Sequence, residues 1–167
     1  AELATGHLKG VTNGAALVLG SGLGGGIIIN GKLFQGSHFQ AGELTFLLPL
    51  QMEKLDPSLM QETTLSAIGL ITKVNEILAS LDLKDGLLAF KAINAKKEAV
   101  YPIFETYCRN LAITILNLQT IFDMETFVLG GGISAQSILI EEVNRQFDKV
   151  HHEIDFIGKI IKRPKIV

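Results

Sequence analysis

Two glycine-rich stretches carry the residue types most able to do chemistry. In LVLGSGLGGGIIING, Leu17 to Gly31, Gly20, Gly22 and Gly25 fall at G-x-G-x-x-G spacing. A dinucleotide-binding turn of that spacing must follow a strand and open a helix whose N-terminus holds the pyrophosphate. Here the glycines run into GGIIING, which reads as a strand and a hairpin turn. The acidic Glu43, about twenty residues on, does not restore the missing helix. No Gly-Lys-Ser or Gly-Lys-Thr follows, so a P-loop is excluded as well. What remains is a glycine turn between strands, whose N–H groups can form an anion nest with the Ser21 hydroxyl as a further donor. The competing reading is a sharp β-hairpin with no ligand.

The second stretch is FVLGGGIS, Phe127 to Ser134, a strand, a triple glycine and then a helix. Such a turn lets a flat ligand approach the backbone at the positive end of a helix. Alone it is also read as a tight strand-to-helix turn. Two such loops with three helices between them point to a shared ligand rather than to packing alone.

Positioning these loops is the work of short, well-punctuated elements. Residues 1 to 12 read as the end of a helix stopped at Gly10, and Ala15–Leu19 and Gly26–Ile29 have strand character. Asn30-Gly31 is a strong hairpin signal, which sends Lys32–Gln35 back along the second strand. Asp56-Pro57 reads as a helix start, and Leu65, Ile68, Ile71, Val74, Ile77 and Leu78 recur at helical spacing. Further helices are expected at about Leu87–Asn94 and Lys97–Phe122, the latter apolar enough to lie deep in the core. Thr126–Leu129 should be a strand, Gly130 to Gly132 a turn, and Ala135–Val150 a helix capped by Ser134. Ile160–Val167 closes with strand character. The order β-β-β-α-α-α-β-α-β predicts one α/β domain.

The whole sequence bounds the function. Its 167 residues, 47% hydrophobic and 19% charged, are ordinary for a globular domain. A net charge of -2 gives no electrostatic footprint for nucleic acid. Cys108 is the only cysteine, which excludes an intrachain disulfide and a cysteine-rich zinc site. No apolar run approaches a bilayer span, so a cytoplasmic location is the default expectation. The chain starts AELATGHLKG without Met and stops at IIKRPKIV, which together suggest a piece of a longer protein.

GSGLGGGIIINGKLFQGSHFQAGE and the segment from Asp85 through FVLGGGIS resemble the ROK family (repressors, open reading frames and sugar kinases) of the actin-like ATPase superfamily. The resemblance covers about residues 1 to 150. It implies a ribonuclease-H-like, actin-like ATPase domain, with a mixed sheet antiparallel in its first three strands and helices on both faces. The chain would be the C-terminal domain, with an N-terminal domain and a C-terminal helix lying outside it. Gly20, Ser21, Gly22, Gly24 and Gly25 would face the ATP phosphates, and Gly130, Gly131 and Gly132 would flank the adenosine. Glu43, in Ala41-Gly42-Glu43, would bind sugar hydroxyls; the bland reading makes it a helix-start carboxylate. Glu62 sits where the family has a second sugar-binding Glu, although a helix-surface Glu is common there. His38 reads as a loop residue near the sugar site.

Two departures stand out. The family's Gly-Glu-x-x-His places a zinc-ligating histidine where this chain has Phe46, and its cysteine-rich zinc segment is absent. The resemblance therefore implies ATP and Mg²⁺ but no zinc. The family's general base, an Asp, lies in the N-terminal half, and losing such a base costs roughly 10²–10⁴-fold, so the 167 residues alone are expected to be inactive. The implied function is the C-terminal domain of an ATP-dependent sugar kinase acting on a hexose or glycoside hydroxyl. The alternative is the sugar-sensing domain of a ROK-type repressor, although the missing zinc cysteines and the two retained nucleotide loops favour the kinase. Expected partners are a sugar and ATP, with a second copy of the protein forming a homodimer, and neither nucleic acid nor membrane contacted through this domain.

Overall fold

In the computed structural model, residues 2–47, 65–153 and 155–167 are described. Helix α1 (Glu2–Thr5) precedes three antiparallel strands, β1 (Gly14–Leu19), β2 (Leu23–Ile29) and β3 (Lys32–Phe34). Helices α2 (Ala67–Ile77), α3 (Gly86–Asn94) and α4 (Tyr101–Phe122) follow, then β4 (Thr126–Gly131), α5 (Ser137–Glu153), α6 (Ile157–Ile160) and β5 (Lys165–Ile166). The sheet order is β3-β2-β1-β4-β5, and β4 runs parallel to both β1 and β5. The predicted mixed sheet is present.

Alternation along β1 sorts the two faces. Ala15, Leu17 and Leu19 point into the main core with Ile27, Phe127 and Leu129, and α2 to α5 pack over them. Fully buried Phe104, Phe127 and Phe147 anchor this layer, each worth about 2–3 kcal/mol of apolar burial. The opposite face carries a small cluster of Leu8, Ile28 and Val128, joined by Leu3 of α1. Helices thus lie on both faces but unevenly, and Val18 on the lightly covered face is 47% exposed.

Several boundaries differ from the sequence reading. The second strand begins at Leu23 rather than Gly26, because Gly24, Gly25 and Gly26 pair with Val18, Leu17 and Ala16. Helix α4 begins at Tyr101 rather than Lys97, since Pro102 is tolerated only in a first turn. Ser134 does not cap α5; its hydroxyl donates to the Gly131 carbonyl at 2.9 Å, and the helix opens three residues later. The expected final strand shrinks to Lys165–Ile166, with α6 and buried Pro164 before it. The Asn30-Gly31 turn matches expectation, with φ of 53° and 72° placing both residues in the left-handed region of a tight hairpin. Helix α4 is buried along most of one side, as its apolar sequence predicts. The described helix of the Leu65–Leu78 series is capped afresh at Ser66, whose Oγ accepts from the Gly69 N–H at 3.0 Å. The expected start at Asp56-Pro57 lies outside the described residues.

Candidate functional site

The two glycine loops, more than a hundred residues apart in sequence, meet at one end of the sheet. Parallel pairing of β1 with β4 sets Val18 beside Gly130 and Leu19 beside Gly131. The turn Gly20–Gly22 and the turn after Gly131 therefore leave the sheet side by side, at the carboxyl ends of adjacent strands. Open α/β sheets bind ligands in that crevice.

Close approach is what the second loop requires. Gly131 has φ +100°, and a Cβ there would lie 2.2 Å from the Leu19 carbonyl oxygen. Only glycine can hold this backbone against β1, and the next N–H, of Gly132, donates to that same Leu19 carbonyl at 3.3 Å. The first loop is fastened from the other side: the Ala67 N–H at the start of α2 donates to the Gly20 carbonyl at 2.9 Å. The Gly20 N–H donates to the Gly22 carbonyl at 3.0 Å, whereas the Ser21 and Gly22 N–H groups have no acceptor among the described residues. Ser21 is exposed, and a Cβ on Gly20 or Gly132 would meet nothing within 4 Å. These positions face open space while their neighbours are packed.

The predicted sugar carboxylate is brought to the same end. Gly42, with φ +93°, would place a Cβ 2.6 Å from the Gly25 carbonyl oxygen, and a Cβ on Gly25 would lie 2.7 Å from the Gly42 carbonyl oxygen. Two glycines thus press backbone on backbone and seat the following residue, Glu43, against β2. The Thr45 hydroxyl donates to the Leu23 carbonyl at 3.0 Å and locks the loop beside the glycine turn. Glu43 begins a single 3₁₀ turn, Leu44–Phe46, yet its side chain makes no capping bond. Its carboxylate is exposed and accepts from no donor among the described residues.

Each predicted residue now has a place. Gly20, Ser21 and Gly22 form the β1–β2 turn; Gly24 and Gly25 lie within β2; Gly130 and Gly131 end β4, and Gly132 opens the next turn. His38 is exposed in the loop between β3 and Glu43. Glu62 lies outside the described residues. Sequence reasoning missed Thr45, Ser66 and the structural part played by Gly25. The only hint was a glycine directly before Glu43. A cavity of about 1140 Å³, lined in part by Ser21, Gly22, Thr45, Ser66, Tyr107 and Asn110, extends from the glycine turn between α2 and α4. Burial pushes the Tyr107 phenol well above its ordinary value, so it stays protonated and donates to the Leu65 carbonyl at 3.1 Å. Burial also pushes up the Cys108 thiol, leaving a structural rather than reactive cysteine.

A second crevice, of about 580 Å³, lies between α4 and α5 near Asn94 and Lys96. Buried Glu142 accepts from the Tyr101 hydroxyl at 3.0 Å, from Arg145 Nε at 2.9 Å and from Gln146 Nε2 at 2.7 Å. Arg145 also pairs with Glu105. Burial alone would raise the Glu142 carboxyl, but the bonds from Arg145, Gln146 and Tyr101 outweigh it and hold the group below its ordinary value. Burial and the neighbouring Glu142 push the Tyr101 phenol up to about 12. These groups satisfy one another. Among the described residues no three His, Cys, Asp or Glu side chains gather where they could hold a metal ion. No helix among them is long and apolar enough to cross a membrane.

The ROK family model matches residues 1–155. The chain belongs to the ROK family. Its mixed sheet and helices form the actin-like ATPase fold of ROK proteins. Among curated relatives, the N-acetyl-D-glucosamine kinase of Vibrio cholerae is 30% identical over 178 residues, covering 96% of this chain and 55% of that protein. A solved ROK family protein from Streptococcus pneumoniae TIGR4, in complex with sucrose, is 30% identical with a TM-score of 0.74, covering 96% of this chain and 53% of that one. A ROK family glucokinase from Streptomyces griseus, in complex with glucose and AMPPNP, has a TM-score of 0.78 at 19% identity, over 99% of this chain and 58% of that one, and speaks to the fold. The ROK chain spans about half the length of the curated relatives it matches.

Proposed function

We propose that this chain is the C-terminal domain of an ATP-dependent sugar kinase, which transfers the γ-phosphoryl group of Mg-ATP to a hydroxyl of a hexose or glycoside. One observation carries the reading. The Leu19–Gly131 register sets two glycine loops side by side, and the Gly42–Gly25 contact holds the backbone before Glu43 against the neighbouring strand. The naming of relatives as sugar kinases and the glucose and AMPPNP complex of one fold neighbour support it.

In this reading the Ser21 and Gly22 N–H groups and the Ser21 hydroxyl donate to phosphate oxygens, and Gly24 and Gly25 keep β2 smooth behind them. Gly130, Gly131 and Gly132 admit the adenosine against the end of β4. Glu43 accepts from sugar hydroxyls and fixes the acceptor oxygen, with Glu62 and His38 completing the sugar site. Phosphoryl transfer depends chiefly on such positioning and on charge stabilisation. The base that takes the hydroxyl proton belongs to the part of the protein outside these 167 residues, which alone are inactive. The described residues form no resident cation cage. Mg²⁺ enters as the ion bound to the nucleotide, where it takes phosphate oxygens and water. Phe46 stands where the family has a zinc-ligating histidine, and we read the site as zinc-free on that ground.

Paired glycine loops favour the kinase over the sugar-sensing repressor domain, because a sensor needs a sugar site but no phosphate clamp. We also read the full-length protein as a cytoplasmic homodimer that contacts neither membrane nor nucleic acid through this domain. The test is phosphorylation of a hexose panel by the full-length protein with ATP and Mg²⁺, beside a Glu43→Gln variant. Activity in the parent and a loss of about 10²-fold in kcat/KM in the variant are expected, the scale of losing hydrogen bonds to a charged group. An active parent with an unaffected variant would remove Glu43 from the site.

A further inference from the structure

Thr45 touches both halves of the site and belongs to neither. It sits in the 3₁₀ turn Leu44–Phe46, two residues after Glu43, and is half-buried. Its hydroxyl donates to the carbonyl of Leu23, the first residue of β2. A threonine hydroxyl has one proton to give, so Thr45 has no donor left for a phosphate oxygen.

The same side chain occupies the space over Gly22. A Cβ on Gly22 would lie 2.7 Å from Thr45 Oγ1 and 3.2 Å from its Cγ2. Gly22 is not among the glycines with a left-handed backbone, so the Thr45 side chain, rather than an unusual φ, is what requires glycine there. The other end of the turn is also fixed, since the Ala67 N–H of α2 donates to the Gly20 carbonyl at 2.9 Å. Ser21 lies exposed between these two anchors. Ser21, Gly22, Thr45 and Ser66 line one cavity. The turn read as the phosphate loop and the segment that carries Glu43 therefore meet in a single interlock, Thr45 over Gly22.

We propose that Thr45 is a positioning residue for phosphoryl transfer, setting the separation between the Gly20–Gly22 turn and the acceptor segment. This rests on the reading of that turn as the phosphate loop and of Glu43 as a sugar ligand. As the acceptor oxygen bonds to the γ-phosphorus, the bond to the β,γ-bridging oxygen breaks. ADP leaves with that electron pair, and the hydroxyl proton passes to the base outside these 167 residues. The reacting atoms must first be held about 3–3.5 Å apart, and a misplacement of about 1 Å costs on the order of 10²-fold. When the interlock slackens, each substrate still meets its own ligands. The loss then falls on kcat rather than on either KM.

The test is steady-state kinetics of the full-length protein with ATP, Mg²⁺ and a hexose and glycoside panel that includes glucose and N-acetyl-D-glucosamine. Wild type is compared with Thr45→Val, which keeps the shape and loses the donor, and with Thr45→Ser, which keeps the donor. On the best sugar, Thr45→Val should lower kcat about tenfold with both KM values within about threefold, and Thr45→Ser should stay within about threefold of wild type. Urea denaturation of the same protein tests the interlock. Gly22→Ala should lower the midpoint, and adding Thr45→Ala should restore it, because the Thr45 Cβ lies at an ordinary 3.5 Å from the new methyl. The double variant should recover stability but not kcat. A wild-type kcat in Thr45→Val, a raised KM at unchanged kcat, or a Gly22→Ala midpoint equal to wild type overturns this proposal and leaves the kinase reading standing. A parent inactive on every sugar overturns the kinase reading, and the proposal with it.

Discussion

The carboxyl end of the sheet and the clamp between α4 and α5 both concentrate polar groups, but they treat them in opposite ways. In the clamp, Tyr101, Glu142, Arg145, Gln146 and Glu105 bind one another, and Glu142 is only 4% exposed. At the sheet end, Glu43 and Ser21 are exposed, and the Ser21 and Gly22 N–H groups have no acceptor among the described residues. A saturated network stabilises the protein; an unsaturated one on a rigid frame is prepared for a ligand. The contrast argues that polar density by itself is a poor guide to function, and that unspent hydrogen-bonding capacity is a better one.

The sharpest way to break this contrast is to fill the space at Gly131. Gly131→Ala would force a Cβ into the Leu19 carbonyl at φ +100°, and a loss of about 3–5 kcal/mol in urea denaturation is expected. Gly132→Ala, in open space one residue later, should change stability by less than about 0.5 kcal/mol. Similar losses at the two positions would deny that Gly131 is held by close approach.

The clamp should respond next, and to acid. Glu142→Ala strands Tyr101, Gln146 and Arg145, and should cost about 2–3 kcal/mol without changing nucleotide binding. The carboxyl of Glu142 lies below its ordinary value near 4.5 in the folded protein. Its contribution is therefore present above that value and lost as pH falls through the lower folded one. Wild type should lose stability on acidification more steeply than Glu142→Gln, as read from denaturation at pH 7 and below pH 4.5. Parallel losses in the two proteins would contradict the assignment. A small effect is expected at the surface ion pair as well. The Arg109–Glu153 pair at 2.7 Å has side chains 38% and 56% exposed, and Arg109→Met should cost less than about 1 kcal/mol.

Much of this architecture was legible from local signals. Asn30-Gly31 specifies its hairpin through backbone preference, and the apolar face of α4 marks a buried helix. The start of β2 was misread because three consecutive glycines carry no strand propensity of their own; pairing with β1 imposes the strand. Ser134 was misread because a serine before a helix can bond backward as well as forward, and here it takes the Gly131 carbonyl. At the site, glycine spacing and Ala41-Gly42-Glu43 pointed to stretches of chain that the fold brings to one end of the sheet. The contact that joins them, Gly25 against Gly42, is backbone on backbone across the fold and has no side-chain signature. The clamp was illegible for a related reason: Tyr101 and Glu142 are brought together only by the packing of α4 on α5.

Amide chemical shifts of the isotopically labelled chain, followed on titration with AMPPNP and Mg²⁺, test the central claim directly. Shifts should concentrate at Ser21, Gly22, Gly130 and Gly132, with Tyr101 and Glu142 unmoved. Shifts confined to the α4–α5 clamp, or none at the two glycine loops, would contradict the account.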